Sequence, residues 1–292
     1  MKKVVVIVGP TGIGKTDLSI KIAKHYNTEI ISGDSVQVYR RLDIGSGKVL
    51  KDEMDGIKHH LIDILDPIED YSVSDFQKNA RFIIDELSKK EKLPIICGGT
   101  GYYIKAALYD YEFTSSKRTD KYDNLSNEEI YERLKELNDS RIPNINNRIR
   151  LLRHLEILET IDEPKNKNIM LYDPLFIGLT CERDKLYERI NQRVDKMIQN
   201  GLIEEVKALY DSGLKAKSVQ SIGYKELYDY FDSKISLDDA INLIKQHSRN
   251  FAKRQYTWFN NQVHTNWIDI EKENAYEKAL ELIDEFIKEK EN

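Results

Sequence analysis

The chain has 292 residues, a formal net charge of −5, and 40% hydrophobic and 33% charged residues, which suits one large or two moderate soluble globular domains. No apolar run approaches the roughly twenty residues of a membrane span, which excludes a membrane partner, and Met1-Lys2-Lys3 leads straight into an apolar run, so no cleavable leader is expected and the cytoplasm is the expected compartment. Cys97 and Cys181 lie far apart without partner cysteines at metal-ligand spacing; this excludes a zinc site or disulfide framework and leaves both as small packing groups. The negative charge argues weakly against a protein that coats nucleic acid but leaves room for a local basic face.

Val4-Val5-Val6-Ile7-Val8 reads as a buried strand. It is followed by Gly9-Pro10-Thr11-Gly12-Ile13-Gly14-Lys15-Thr16 and then by Leu18, Ile20, Ile22 and Ala23 at helical spacing. The eight central residues fit the phosphate-loop pattern G-x-x-x-x-G-K-[ST] in its required strand-to-helix context. Glycines let backbone N–H groups converge on phosphate oxygens, the helix N-terminus favours the anion, Lys15 supplies a cation, and the Thr16 hydroxyl can reach a phosphate-bound Mg²⁺. Most owners of such a nucleotide-binding loop bind ATP or GTP for hydrolysis or phosphoryl transfer, and also carry a carboxylate at another strand end. Here Leu93-Pro94-Ile95-Ile96-Cys97 runs into Gly98-Gly99-Thr100-Gly101 without an acid, whereas Glu29-Ile30-Ile31-Ser32 runs into Gly33-Asp34-Ser35. Asp34 is thus the one acid expected near the loop.

Residues 1 to about 110 alternate strands with amphipathic stretches such as 76–87, whose start is marked by Ser72-Val73-Ser74-Asp75. This βαβ pattern implies a parallel sheet with its crevice at the strand C-termini. After Tyr111 a polar segment, 114–120, and helices over 128–137 and 149–161 read as a small helical insertion before Leu175–Leu179 returns to the sheet. The expected organisation is an α/β, P-loop NTPase-like parallel sheet flanked by helices. Residues 1–112 form its first part, 113–172 the insertion, and 173–292 the second part with C-terminal helices.

Between Asp184 and Tyr210, Leu186, Ile190, Val194, Met197 and Leu202 recur at helical spacing. Arg193 stands at the edge of that stripe, and the pattern alone supports equally a charge snorkelling to water and one pointing into the crevice. In the last long helix Lys245, Arg249 and Lys253 form a basic row opposite an apolar face; such a row is ordinarily solvated, and nucleic acid is its other possible partner. A second basic cluster runs from Arg141 through Arg148, Arg150 and Arg153 to His154, and 288–292 is a short charged tail.

Taken in order, these segments resemble the tRNA dimethylallyltransferase family nearly end to end. The phosphate loop is followed by Asp34-Ser35-Val36-Gln37-Val38-Tyr39, Leu42–Lys48, His59–Asp63, Tyr71–Phe76 and Gly98–Tyr103. Then come Arg153–Glu156, Leu186–Arg193, Ser221–Glu226 and Ala252–Phe259. The sequence departs from the family pattern at Val49 after Lys48, at Asn147, in a short insertion and in the lack of a C-terminal zinc finger; it looks bacterial in type.

The resemblance implies a prenyltransferase of the EC 2.5.1 class. Such an enzyme moves a dimethylallyl group from dimethylallyl diphosphate to N6 of the adenosine 3′ to the anticodon, position 37, in tRNAs reading codons that begin with U. It implies that residues 9–16 and Arg193 bind the diphosphate, with Thr16 on Mg²⁺, and that Lys15, Thr16 and Arg193 stabilise the departing pyrophosphate while Asp34 takes the N6 proton. It also implies that Asp34, Ser35, Val36, Gln37 and Thr100 contact the target base and its neighbours, and that the insertion grips the anticodon stem-loop; the chain is expected to be a monomer. Arg150, Arg153, Lys253 and Arg254 are further candidates for tRNA phosphates. Without the resemblance, Gln37 would read as a turn residue bonding its own backbone, and Tyr224 and Trp258 read as core. Rival readings are a small-molecule P-loop kinase, a prenyltransferase acting on free AMP or ADP, and a tRNA-binding protein without catalysis.

Overall fold

A computed structural model describes residues 1–113, 120–137, 142–160 and 168–289, and it divides into two compact units. The larger comprises Met1–Tyr109 with Met170–Asn292, the smaller Asp110–Ile169.

The larger unit is built on six parallel strands: β1 (Lys3–Val8), β2 (Ile30–Ser32), β3 (His59–His60), β4 (Ile95–Cys97), β5 (Asp173–Thr180) and β6 (Asn266–Asp269), in the order β3-β2-β4-β1-β5-β6. β1 is central, pairing Val5 with Ile95 and with Leu175, and its Val4–Val8 are fully buried. Covering both faces of a strand requires apolar residues at every position, which is why this strand reads as an unbroken run instead of alternating. β3 and β6 are short edge strands that hydropathy does not announce; β6 instead pairs Trp267 with Gly178 at a register where a Cβ on Gly178 would overlap the indole.

Helices α1 (Lys15–His25), α2 (Val73–Lys89) and α3 (Gly101–Leu108) follow β1, β3 and β4. The Ser72–Asp75 signal forms a capping box, in which Ser72 Oγ accepts the Asp75 N–H and Asp75 Oδ2 accepts the Ser72 N–H. The apolar stripe from Asp184 onward does not form one helix. It divides into α6 (Arg183–Gln199) and α7 (Leu202–Asp211) because Gly201 turns the chain at φ +99°. Beyond them lie α8 (Tyr224–Phe231), α9 (Leu237–Gln262) and α10 (Ala275–Lys288), so the first residue of the predicted charged tail is helical. Cys97 and Cys181 are free thiols packed, partly buried, against the main core.

The smaller unit pairs α4 (Asn127–Glu136) with α5 (Arg148–Thr160) around Tyr122, Ile130, Leu134, Leu151 and Leu155. Arg148 is spent inside this unit, donating to the carbonyls of Asp123 and Leu125 and to Asn127 Oδ1. Most of the polar segment predicted at 114–120, together with Arg141 and residue 161, lies outside the described residues.

Candidate active site

Three loops at the C-terminal ends of the central strands meet in the larger unit: the phosphate loop after β1, Gly33–Gln37 after β2, and Gly98–Thr100 after β4. Parallel pairing delivers all three to one sheet edge, the usual location of a ligand crevice in such folds. Backbone bonds tie the last two together, with Gly33 N–H donating to Cys97 O at 2.8 Å and Thr100 N–H donating to Gly33 O at 3.2 Å.

Around these loops lie a polar cavity of 630 Å³, lined by Gly12, Gly14, Lys15 and Thr16, and a more apolar one of 390 Å³, lined by Ser35, Val36, Thr100 and Arg254. Thr11, Asp34 and Arg193 line both. Of the two readings left open for Arg193, the structure shows the crevice: its Nη1 donates to Thr11 Oγ1 at 2.8 Å, and among the described residues it forms no ion pair. Burial draws its pKa down while Asp34 opposes the shift, so an arginine cation sits here unneutralised by any hydrogen-bonded carboxylate. Gly47, at φ +59°, makes room for it, since a Cβ there would fall 1.6 Å from Arg193 Nη2.

Lys15 Nζ donates to Pro10 O at 2.8 Å. Its pKa is lowered to about 8, chiefly by burial, with Cys97 pulling it up, Arg193 pushing it down and Asp34 pulling it up. Two desolvated cations around one cavity are what a polyanion would relieve. Asp34 forms an Asx turn in which Oδ1 accepts the N–H groups of Val36 at 2.8 Å and Gln37 at 3.3 Å. Those bonds aim the carboxylate, and Oδ2 has no partner among the described residues. The Gln37 side chain bonds not to its own backbone but to the Gly47 carbonyl, at 3.4 Å from Nε2.

Thr11, Gly12, Gly14, Lys15 and Thr16, together with Asp34, Ser35, Val36, Gln37, Thr100 and Arg193, therefore line one or both cavities, whereas Gly9, Pro10 and Ile13 are buried and line neither. Arg254 joins the apolar one, while exposed Lys253 lines a shallow groove farther along α9. The rest of the basic row is otherwise engaged: Lys245 pairs with Asp195 at 2.5 Å, and Arg249 donates to Asn191 at 2.6 Å. Arg150 and Arg153 belong to the smaller unit; Arg150 is exposed and Arg153 donates to buried Glu156 at 3.3 Å. Tyr224 is fully buried, and Trp258 is partly buried against Gly101.

Sequence reasoning missed Glu205 on α7. Its carboxylate accepts the backbone N–H groups of Asp43, Ile44 and Gly45 at 2.8–3.1 Å and the Tyr224 hydroxyl at 2.7 Å, holding the loop that carries Ser46 and Gly47. It also missed buried Lys48, which bonds Tyr39 O, Asp43 and Asp63 beneath the same loop. The motif Leu42–Lys48 is the available sequence signal, but nothing in its spacing names a partner far along the chain.

No cluster of three or more His, Cys, Asp or Glu side chains able to hold a metal ion occurs among the described residues. Hard-oxygen Mg²⁺ coordination at Thr16, completed by phosphate and water, fits this donor set, because Mg²⁺ commonly retains waters and uses substrate phosphates.

Residues 37–262 match the profile of the IPP transferase family. The tRNA dimethylallyltransferase of Anoxybacillus flavithermus is 48% identical over 299 residues, spanning 98% of this chain and 96% of its own. The crystal structure of a tRNA isopentenylpyrophosphate transferase from Staphylococcus epidermidis superposes with a TM-score of 0.77 at 40% identity, covering 99% of each chain. A eukaryotic dimethylallyltransferase acting on tRNA gives a TM-score of 0.84 at 29% identity, over 98% of this chain and 80% of that one. Similarity of this extent, in sequence and fold together, makes the chain a member of the tRNA dimethylallyltransferase family.

Proposed function

We propose that this chain transfers a dimethylallyl group from dimethylallyl diphosphate to N6 of the adenosine at position 37, 3′ to the anticodon, of tRNAs reading codons that begin with U, releasing pyrophosphate. The observation that carries the reading is the convergence of Lys15, Arg193 and Asp34 on two cavities at which the three strand-end loops carry Asp34 as their one acid, Asp43 and Glu53 of the polar cavity being bonded to Lys48 and to the Leu50 N–H. A pyrophosphate leaving group calls for cations and N–H donors, not for a carboxylate that positions hydrolytic water.

In this reading Lys15, Arg193 and the amides of the phosphate loop bind the diphosphate and stabilise the charge that builds on the departing oxygen. The Asx turn presents Asp34 Oδ2 to the exocyclic amine, which donates a hydrogen bond to it and gives up its proton as the C–N bond forms. Mg²⁺, held by Thr16 and the diphosphate, would neutralise leaving-group charge. The apolar wall of the smaller cavity, with Ile190, Val194, Met197 and Phe251, excludes water from the allylic carbon. Ser35, Val36, Gln37 and Thr100 surround the target base, and Arg254 and Lys253 lie where an RNA backbone approaches along α9. Arg150 and Arg153 are proposed as phosphate contacts of the smaller unit, which grips the anticodon stem-loop. The protein acts as a monomer in the cytoplasm.

Labelled dimethylallyl diphosphate offered in parallel to unmodified tRNA, AMP and ADP tests the acceptor. Label entering tRNA alone is expected, whereas label entering AMP or ADP more rapidly would overturn the tRNA assignment.

A further inference from the structure

Gln255 has no part in the chemistry above, yet it occupies the centre of the bonding that joins the halves of the site. It lies on α9, is 6% exposed, and satisfies both ends of its amide: Oε1 accepts the Thr11 N–H at 2.9 Å and Nε2 donates to the Gly99 carbonyl at 3.1 Å. One acceptor and one donor at fixed separation on a rigid plane is what a primary amide offers, and a carboxylate or thioether of similar size lacks one or both. The slot is cut to the side chain, because a Cβ on Gly99 would come within 2.0 Å of Nε2.

The groups it joins belong to the loops leaving β1 and β4. On one side, Thr11 accepts the guanidinium of Arg193 through Oγ1. On the other, the Gly98–Thr100 turn is bonded to Gly33, the residue before Asp34. A continuous path therefore runs from the cation of the leaving-group side, through Gln255, to the carboxylate of the proton-accepting side.

We propose that Gln255 is a positioning residue that sets the spacing between the phosphate loop and Asp34 by bridging the Thr11 amide and the Gly99 carbonyl. Its kinetic consequence rests on the prenyl-transfer reading; its consequence for anion binding does not.

The test compares wild type with Gln255→Met, which keeps the volume and removes both hydrogen bonds, and with Gln255→Glu, which keeps the acceptor for Thr11 but sets a second acceptor against the Gly99 carbonyl. Calorimetric titration with inorganic pyrophosphate, thermal melting, and kcat and KM for donor and tRNA are measured on each. For Gln255→Met, pyrophosphate binding is expected to weaken about tenfold, because part of the net worth of the two lost hydrogen bonds is felt by the displaced phosphate loop. Misplacement of the loop is expected to lower kcat about 10²-fold while the KM for tRNA stays put. Gln255→Glu should bind pyrophosphate more weakly still, and it provides the reading if Gln255→Met does not fold. Wild-type pyrophosphate affinity and kcat with only a lowered melting temperature would reduce Gln255 to core packing and overturn the proposal. A raised KM for tRNA with kcat and pyrophosphate binding unchanged would overturn it as well. Were wild type to transfer no prenyl group, the functional reading would fail, and the pyrophosphate comparison would still decide the bridge.

Discussion

At the scale of residues, the site depends on a few groups whose states the fold controls. Asp34→Asn keeps the shape of the Asx turn and loses the proton acceptor, so kcat should fall about 10²–10⁴-fold, the usual worth of a general base. Unchanged tRNA binding in a gel-shift assay would show that the loss is chemical. Lys15 makes a second prediction. Its pKa is lowered to about 8, so it carries its charge below that pH and loses it as the pH rises through 8. The pyrophosphate affinity of wild type relative to Lys15→Met should therefore be largest near pH 7 and decline above pH 8. Taking the ratio cancels the ionisation of the ligand, and a ratio independent of pH would remove Lys15 from the anion site. Asp34 and Lys15 were legible in the sequence because the motif encodes their backbone context. Arg193 was only half legible, since a stripe edge specifies a face of a helix but not what that face meets.

At the scale of elements, the hydrophobic interior announced itself and the polar ties did not. β1 and β5 are visible as apolar runs because they are buried on both faces, whereas β3 and β6 are short edge strands recognisable only once their neighbours exist. The break at Gly201 was hidden because the apolar spacing continues across it. Glu205 and Gln255 were missed for a common reason: each bonds backbone groups more than 150 positions away in the chain, and backbone acceptors and donors leave no residue-type signature. Glu205→Ala would strand the N–H groups of Asp43, Ile44 and Gly45 in a partly buried turn. A destabilisation of about 3 kcal/mol is expected from such unpaired donors, read as a lowered urea midpoint. Release of the Ser46–Gly47 loop should also weaken pyrophosphate binding, and a variant with wild-type stability and affinity would show that the loop holds itself.

At the scale of the whole molecule, the chain leaves the larger unit at Tyr109 and returns at Met170, and these two residues are bridged in antiparallel fashion, with Leu171 N–H donating to Leu108 O at 2.9 Å. Adjacent ends allow residues 110–169 to be replaced by a short glycine-serine link. The shortened chain should fold cooperatively and retain pyrophosphate affinity while losing affinity for tRNA; retained tRNA affinity would deny the smaller unit its gripping role. The proposed departure from nucleotide chemistry also belongs to this scale, because it rests on strand-end loops that supply Lys15 and Asp34 meeting Arg193 from α6. The most direct measurement incubates the protein and Mg²⁺ with unmodified tRNA whose anticodon is followed by adenosine. Dimethylallyl diphosphate is added in one arm and ATP in the other, and the digested nucleosides are weighed. The expected result is a dimethylallyl mass increase on that adenosine in the prenyl-donor arm alone. Unmodified adenosine in that arm, with ATP consumed in the other, would contradict it.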